Sequence, residues 1–278
     1  MGNSLRKSMN FYKKQNTKFR IICRKTGKEL TTNYFAPDFF NFHYMNCFES
    51  NGCLILDVCA TDDNIIDVLD MTNLQRKRDD PKRILTIVEP RRYVLPIDNL
   101  DSVNVNEELL ANVPEAKISR EDFLASASAV KLSNGDVFVK GVVISDTFME
   151  LPRINYRFNT KPYKYAYGAR ISDYKKNLFD LDGINKINVQ TGEEKIWQDE
   201  DYFTSEPVFV ERPDSTAEDD GAVITILLHK SDPRKLALLV LDAVTLTEMA
   251  RVKFVAEGTV TPTFHGQFIR ADDKAHTY

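Results

Sequence analysis

The 278-residue sequence is short of the groups that most chemistries need. It holds four histidines and four cysteines, no CxxC pair, no glycine-rich phosphate loop and no motif for a serine, lysine or cysteine nucleophile. Nucleophilic catalysis and phosphoryl transfer therefore have no foothold. Positive charge is not in excess either: 37 Lys and Arg face 41 Asp and Glu. Without a global positive field to drive counterion release, generic DNA or RNA binding is not expected. No apolar run approaches the roughly 18 residues that span a bilayer. The longest, around Leu236 to Val240, is strand-sized. Residues 1–20 are basic and polar with no apolar h-region, so no secretory signal is expected there. Gly2 would suit myristoylation, but Arg6 occupies the position that needs Ser or Thr.

Glycine and proline, eleven of each, are too few for a collagen-like or low-complexity chain, and 42% hydrophobic residues suffice for a real core. The length suits two ordinary domains or one large all-β or α/β domain. Cys23, Cys47, Cys53 and Cys59 sit in or beside apolar runs without zinc spacing. They are expected to be reduced and buried, which places the protein in the cytosol.

Short runs rich in Val, Ile, Phe and Tyr recur between turn signals. Asn51-Gly52 separates 39–49 from 53–60, and Asn134-Gly135 separates 127–132 from 136–143, both reading as hairpins. Thr191-Gly192 divides 184–189 from 194–197, and Asp220-Gly221 opens the run 222–228. The pattern is mostly antiparallel β. Helical signal is confined to 64–78, with weaker pieces at 105–111 and 119–124. Without βαβ alternation a doubly wound sheet is disfavoured. Strand-turn-strand units every 40 to 50 residues or so fit propeller blades better than a sandwich. Residues 1–278 are read as one domain. The charge-dense stretch 61–104 reads as an irregular insertion within it.

The four histidines can be weighed singly. His276 lies in a polar tail and His229 precedes the turn Lys230-Ser231-Asp232-Pro233, so both are expected to be exposed and unspecialised. His43 lies in Phe42-His43-Tyr44-Met45-Asn46-Cys47-Phe48, and its desolvated imidazole needs a partner for each ring nitrogen. His265 lies in Phe264-His265-Gly266-Gln267-Phe268. Either is a core histidine satisfied by backbone carbonyls or a metal ligand. A shared site would need a fold that brings distant strands to one axis, as a propeller does. Glu150 and Glu206 each enter an apolar strand, where an unpaired charge is costly. Each either points to solvent at a strand end or accepts the N–H of a metal-bound imidazole. Glu218-Asp219-Asp220-Gly221 lacks EF-hand spacing and is read as a solvated turn.

At these residues the sequence resembles the carotenoid cleavage oxygenases, a non-haem iron family. The matching stretches are Phe42-His43-Tyr44-Met45-Asn46-Cys47-Phe48-Glu49, Arg91-Arg92-Tyr93-Val94-Leu95-Pro96, Glu150-Leu151-Pro152-Arg153-Ile154-Asn155-Tyr156, Lys161-Pro162-Tyr163-Lys164-Tyr165-Ala166-Tyr167-Gly168, Ser205-Glu206-Pro207-Val208-Phe209-Val210, Glu218-Asp219-Asp220-Gly221 and Phe264-His265-Gly266-Gln267-Phe268. They stand in family order from about Lys18 onward. The resemblance implies a seven-bladed β-propeller with few short helices, carrying iron(II) on its axis between four histidines. It implies that His43 and His265 are two of those ligands, with Glu150 behind His43 and Glu206 behind His265. It also implies that Phe42, Leu151 and Phe264 line an apolar tunnel.

The implied reaction adds dioxygen across a carotenoid double bond to give apocarotenoid aldehydes such as retinal. Retinoid ester isomerisation within the same family, or a non-catalytic scaffold that binds without reacting, are the rival readings. Family members are nearly twice this long, and two of their histidines have no counterpart here, so the chain resembles a C-terminal half. Alone, it is expected to bind iron poorly and to cleave nothing. A lipid-soluble substrate also implies peripheral contact with a membrane.

Overall fold

A computed structural model describes residues 9–63, 65, 87–120, 123–173 and 180–270. Among them the chain is all-β, with nineteen strands, three short 3-10 turns and no α-helix.

Four sheets follow one another. The first joins β1 (Thr17–Phe19) and β2 (Tyr34–Ala36) to β8 (Ser128–Lys131) and β9 (Val137–Lys140) in the order β1-β2-β9-β8, with β2 parallel to β9. The second is β10-β5-β4-β3, built from β3 (Phe40–Ser50), β4 (Cys53–Thr61), β5 (Glu89–Pro96) and β10 (Val142–Val143). The third is a four-stranded antiparallel sheet of β11 (Glu150–Arg153), β12 (Tyr165–Arg170), β13 (Gly183–Asn188) and β14 (Glu194–Gln198). In the fourth, β17 (Gly221–His229) pairs with β18 (Lys235–Asp242), β15 (Tyr202–Thr204) and β16 (Val208–Glu211), and β19 (Glu248–Val255) closes the edge. A small hairpin joins β6 (Lys117–Arg120) to β7 (Phe123–Ser126).

The turns form where the sequence signals them. At Asn51-Gly52 both residues have positive φ, 49° and 70°, the backbone that a two-residue hairpin needs and that Asn and Gly adopt at least cost. Asn134-Gly135 and Thr191-Gly192 likewise join β8 to β9 and β13 to β14, and Gly221 opens β17. The alternation of Gly-Ala-Val-Ile-Thr-Ile-Leu places Val223, Thr225 and Leu227 inside and Ala222, Ile224 and Ile226 on the less buried face, the period-two burial of a strand.

One buried cluster runs through the first three sheets, including Tyr34, Ile55, Val94, Val139, Met149 and Ile187. A second, with Tyr167, Ile184, Val223, Leu227 and Leu239, joins the third sheet to the fourth. No sheet closes on itself among the described residues.

Two helical expectations change. The helical signal at 105–111 is a turn with an isolated bridge at Glu108, and that at 119–124 falls in the β6–β7 hairpin. In both places, pairing with neighbouring backbone overrides a weak local preference. The expected helix at 64–78 lies almost wholly outside the described residues. Within 61–104, β5 pairs with β4 along its full length, so this part of the expected insertion is a central strand. Cys53 and Cys59 are buried and Cys47 half-buried, whereas Cys23 is exposed; all four are free thiols.

Candidate metal centre

His43 and Glu150 sit where two strands break register. In β3 the pairing slips between Asn41 and Tyr44 and again between Tyr44 and Asn46. β11 slips between Glu150 and Arg153. A bulge adds a residue to one strand and re-aims its side chain. At the second bulge Leu151 takes φ 50°, a left-handed conformation that is costly for a branched residue. Beside it, the Leu151 N–H donates to Oε2 of Glu150 at 3.0 Å, the oxygen that also meets Nδ1 of His43 at 2.6 Å.

Glu206 precedes β16 and is almost wholly buried. Its Oε1 lies 2.9 Å from Nδ1 of His265, and its Oε2 accepts the Gly266 N–H at 2.8 Å and Nη2 of Arg153 at 2.8 Å. The same Nη2 donates to the Gly266 carbonyl at 2.6 Å. Residues 256–270, which carry His265, belong to no strand.

The two imidazoles, 222 residues apart in sequence, stand with ring centres 5.4 Å apart at 79° to one another. Each uses Nδ1 toward its own glutamate, so each keeps Nε2 for another partner. The hydrogen bond to Glu150 raises the His43 pKa against the lowering effect of burial. Burial pushes the Glu206 carboxyl up, but Arg153, the Gly266 amide and His265 together hold it below the ordinary glutamate range. Glu150 keeps one buried oxygen, Oε1, with no hydrogen-bond partner among the described residues.

Phe264 flanks both rings, its centre 4.1 Å from that of His265 and 6.3 Å from that of His43. Phe42 stands 6.4 Å from His43. Leu151 is buried and its main contribution on view is the amide already described. A cleft of about 980 Å³ opens beside His265, lined by Met45, Ile154, Tyr156, Val208, Phe209 and Phe268 among others. His229 does not join the site. Its Nδ1 accepts the N–H of Ser231 and of Asp232, capping the turn after β17. His276 lies outside the described residues.

Arg153 was not singled out from the sequence, although it stands in the same motif as Glu150. Its role depends on where residues 265 and 266 fold. Glu218-Asp219-Asp220 is likewise no free turn. Glu218 accepts the N–H of Lys164 and Tyr165, Asp219 pairs with Lys186, and Asp220 pairs with Arg212.

Residues 1–270 match the family model of the retinal pigment epithelial membrane protein, nearly the whole chain. The chain belongs to this family, the carotenoid oxygenases. Among curated members, a beta,beta-carotene 15,15'-dioxygenase of Mus musculus is 30% identical over 96% of this chain and 44% of its own length. A mitochondrial carotenoid-cleaving dioxygenase of Macaca fascicularis is 30% identical over 91% and 45%. The chain thus spans somewhat under half the length of these carotenoid oxygenases. The fold matches that of a cobalt-substituted oxygenase of Synechocystis, with a TM-score of 0.68 at 21% identity, over 94% of this chain and 46% of that one. A chimera of two family members gives 0.66 at 20% identity, over 92% and 44%. Among the described residues no helix is long and apolar enough to cross a membrane.

Proposed function

We propose that this chain is the C-terminal part of a non-haem iron(II) dioxygenase that cleaves a carotenoid double bond to apocarotenoid aldehydes. One observation carries the reading: two distant imidazoles converge, each backed through Nδ1 by its own glutamate. Backbone carbonyls would satisfy two core histidines equally well, so the paired carboxylates favour ligands over core packing. Such carboxylates fix the tautomer that leaves Nε2 unprotonated, and they raise its donor strength.

The donor set fits a first-row metal. An ion bonded to Nε2 at about 2.1 Å lies about 3.3 Å from each ring centre. Two ring centres on one such ion stand about 4.7 to 5.4 Å apart as the ligand angle runs from square to tetrahedral, and the observed 5.4 Å falls at that upper end. Among the described residues no third His, Cys, Asp or Glu joins the pair. His43 and His265 would hold the ion through Nε2, leaving further positions for ligands from outside the described residues and for dioxygen. When bound, iron(II) supplies the dioxygen activation that no side chain here can provide.

The chain's own residues do the rest. Glu150 and Glu206 orient the ligands, while Phe42 packs beside the His43 ring and Phe264 beside both rings. Leu151, through its amide N–H, holds Glu150 in place, and it belongs to the apolar wall along which a polyene would run. The four sheets are taken as blades of a seven-bladed propeller completed by residues outside this chain. A polyene substrate also favours contact with a membrane surface.

The experiment is to assay the full-length protein, extended upstream of Met1, with iron(II), dioxygen and β-carotene. The expected product is a retinal-type aldehyde, lost when His43 or His265 is replaced by Ala. No aldehyde, or aldehyde unaffected by both replacements, overturns the reading. A parallel incubation with a retinyl ester in place of β-carotene separates the rival: isomerised retinoid there, with no aldehyde from β-carotene, would instead assign the site to retinoid ester isomerisation.

A further inference from the structure

The two imidazoles are held in unlike ways. His43 belongs to a paired strand, and β3 is hydrogen-bonded to β4 on both sides of its bulge. His265 has no strand. Its segment is tied at one end by the Ala256 and Val260 amides, which donate to the Arg234 and Pro233 carbonyls, and at the other by Arg270, which donates to the Glu211 carbonyl. Between those ends, the hydrogen bonds among described residues all pass through Glu206 and Arg153. A stretch so sparsely bonded is at the low end of local stability.

The geometry points to Arg153 as the residue that positions His265. Three groups close a ring: Arg153 Nη2 to Glu206 Oε2, Glu206 Oε2 to the Gly266 amide, and the Gly266 carbonyl back to Arg153 Nη2. The guanidinium is rigid and keeps its charge at every relevant pH, so it can grip carboxylate and carbonyl together. It also gives the buried Glu206 a cation, whereas among the described residues Glu150 pairs with the His43 imidazole alone. Arg153 ends the same four-residue strand that Glu150 begins. Through β11, one element therefore sets both imidazoles, His43 by its first residue and His265 by its last.

The clamp stands on geometry alone, whereas its consequence for a metal rests on the function proposed above. Two measurements on the 278-residue chain separate them. In metal-free protein, Arg153→Met is expected to speed amide hydrogen exchange at Gly266 and its neighbours by roughly tenfold or more, with exchange in β12 and β13 unchanged. Arg153→Lys, which keeps the charge but not the planar guanidinium that reaches both oxygens through Nη2, is expected to restore part of the protection. Unchanged exchange at Gly266 in both variants overturns the clamp.

The second measurement is cobalt(II) titration followed by visible absorption. Arg153→Met is expected to weaken cobalt binding about as much as His265→Ala, and to add nothing once His265 is gone. A loss of the same size with or without His265 would show that Arg153 acts elsewhere, and would overturn its positioning role. If the unaltered chain binds no cobalt, the metal reading fails for this chain and the exchange data alone decide the clamp.

Discussion

Arg92 is almost completely buried, and its Nε and Nη2 donate to the two oxygens of Asp57 at 2.7 Å each. Tyr163 adds its hydroxyl to the same carboxylate at 2.8 Å, and Nη1 of Arg92 reaches the Glu115 carbonyl. Removing one member of such a pair leaves the other buried and uncompensated. Arg92→Met is therefore expected to lower the unfolding free energy by about 3–5 kcal/mol, read by urea denaturation. The double replacement with Asp57→Leu is expected to cost less than the sum of the two single ones.

Cysteines give a second test at the scale of single residues. The Cys23 thiol is exposed and pushed down by a hydrogen bond from the Thr26 side chain and by the Thr26 and Lys25 amides. Burial raises Cys53 to about 11 and Cys59 well above the usual thiol value. Since the thiolate is the reactive form, iodoacetamide at neutral pH is expected to label Cys23 first and to leave Cys53 and Cys59 unlabelled until the protein unfolds. Mass spectrometry after timed quenching reads the order, and early labelling of Cys59 would contradict the burial described.

Elements are joined to one another by carboxylates placed in turns. Glu218, in the turn before β17, takes the amides of Lys164 and Tyr165 at the start of β12, so the fourth sheet caps the entry to the third. Burial raises the Glu218 pKa despite these two amides. Its ionised form is therefore the less favoured one in the fold, and the group's contribution to stability falls as pH rises through its folded value. Glu218→Ala is expected to cost roughly 1–3 kcal/mol by leaving the amides without an acceptor. Glu218→Gln is expected to cost distinctly less, because an oxygen remains and the disfavoured charge is gone. Thermal unfolding at neutral pH compares the two.

At the scale of whole molecules, the chain covers 44% of the length of its Mus musculus relative and brings two imidazoles together. Two neutral ligands in a site with one half-exposed ring are expected to hold iron(II) far more weakly than a full ligand set in a closed cavity. Dialysed 278-residue protein is expected to retain well under one iron per chain and to form no aldehyde from β-carotene. Stoichiometric iron surviving dialysis would refute this.

Strand content, hairpin positions and the family were legible in the amino-acid order, because Asn-Gly and Thr-Gly turns and period-two alternation act over a few residues. So were His43, Glu150 and Glu206 as residues out of place in apolar surroundings, while His265 stood out by its motif. Which glutamate faces which histidine was legible only by resemblance, since register slips in β3 and β11 aim His43 and Glu150, the segment that carries His265 lies outside every strand, and no local pattern encodes either. Arg153, the ties made by Glu218 and the central place of β5 stayed hidden for a related reason. A side chain's partner more than a hundred residues away, as Gly266 is for Arg153, is chosen by how sheets pack, and packing is a property of the assembled chain.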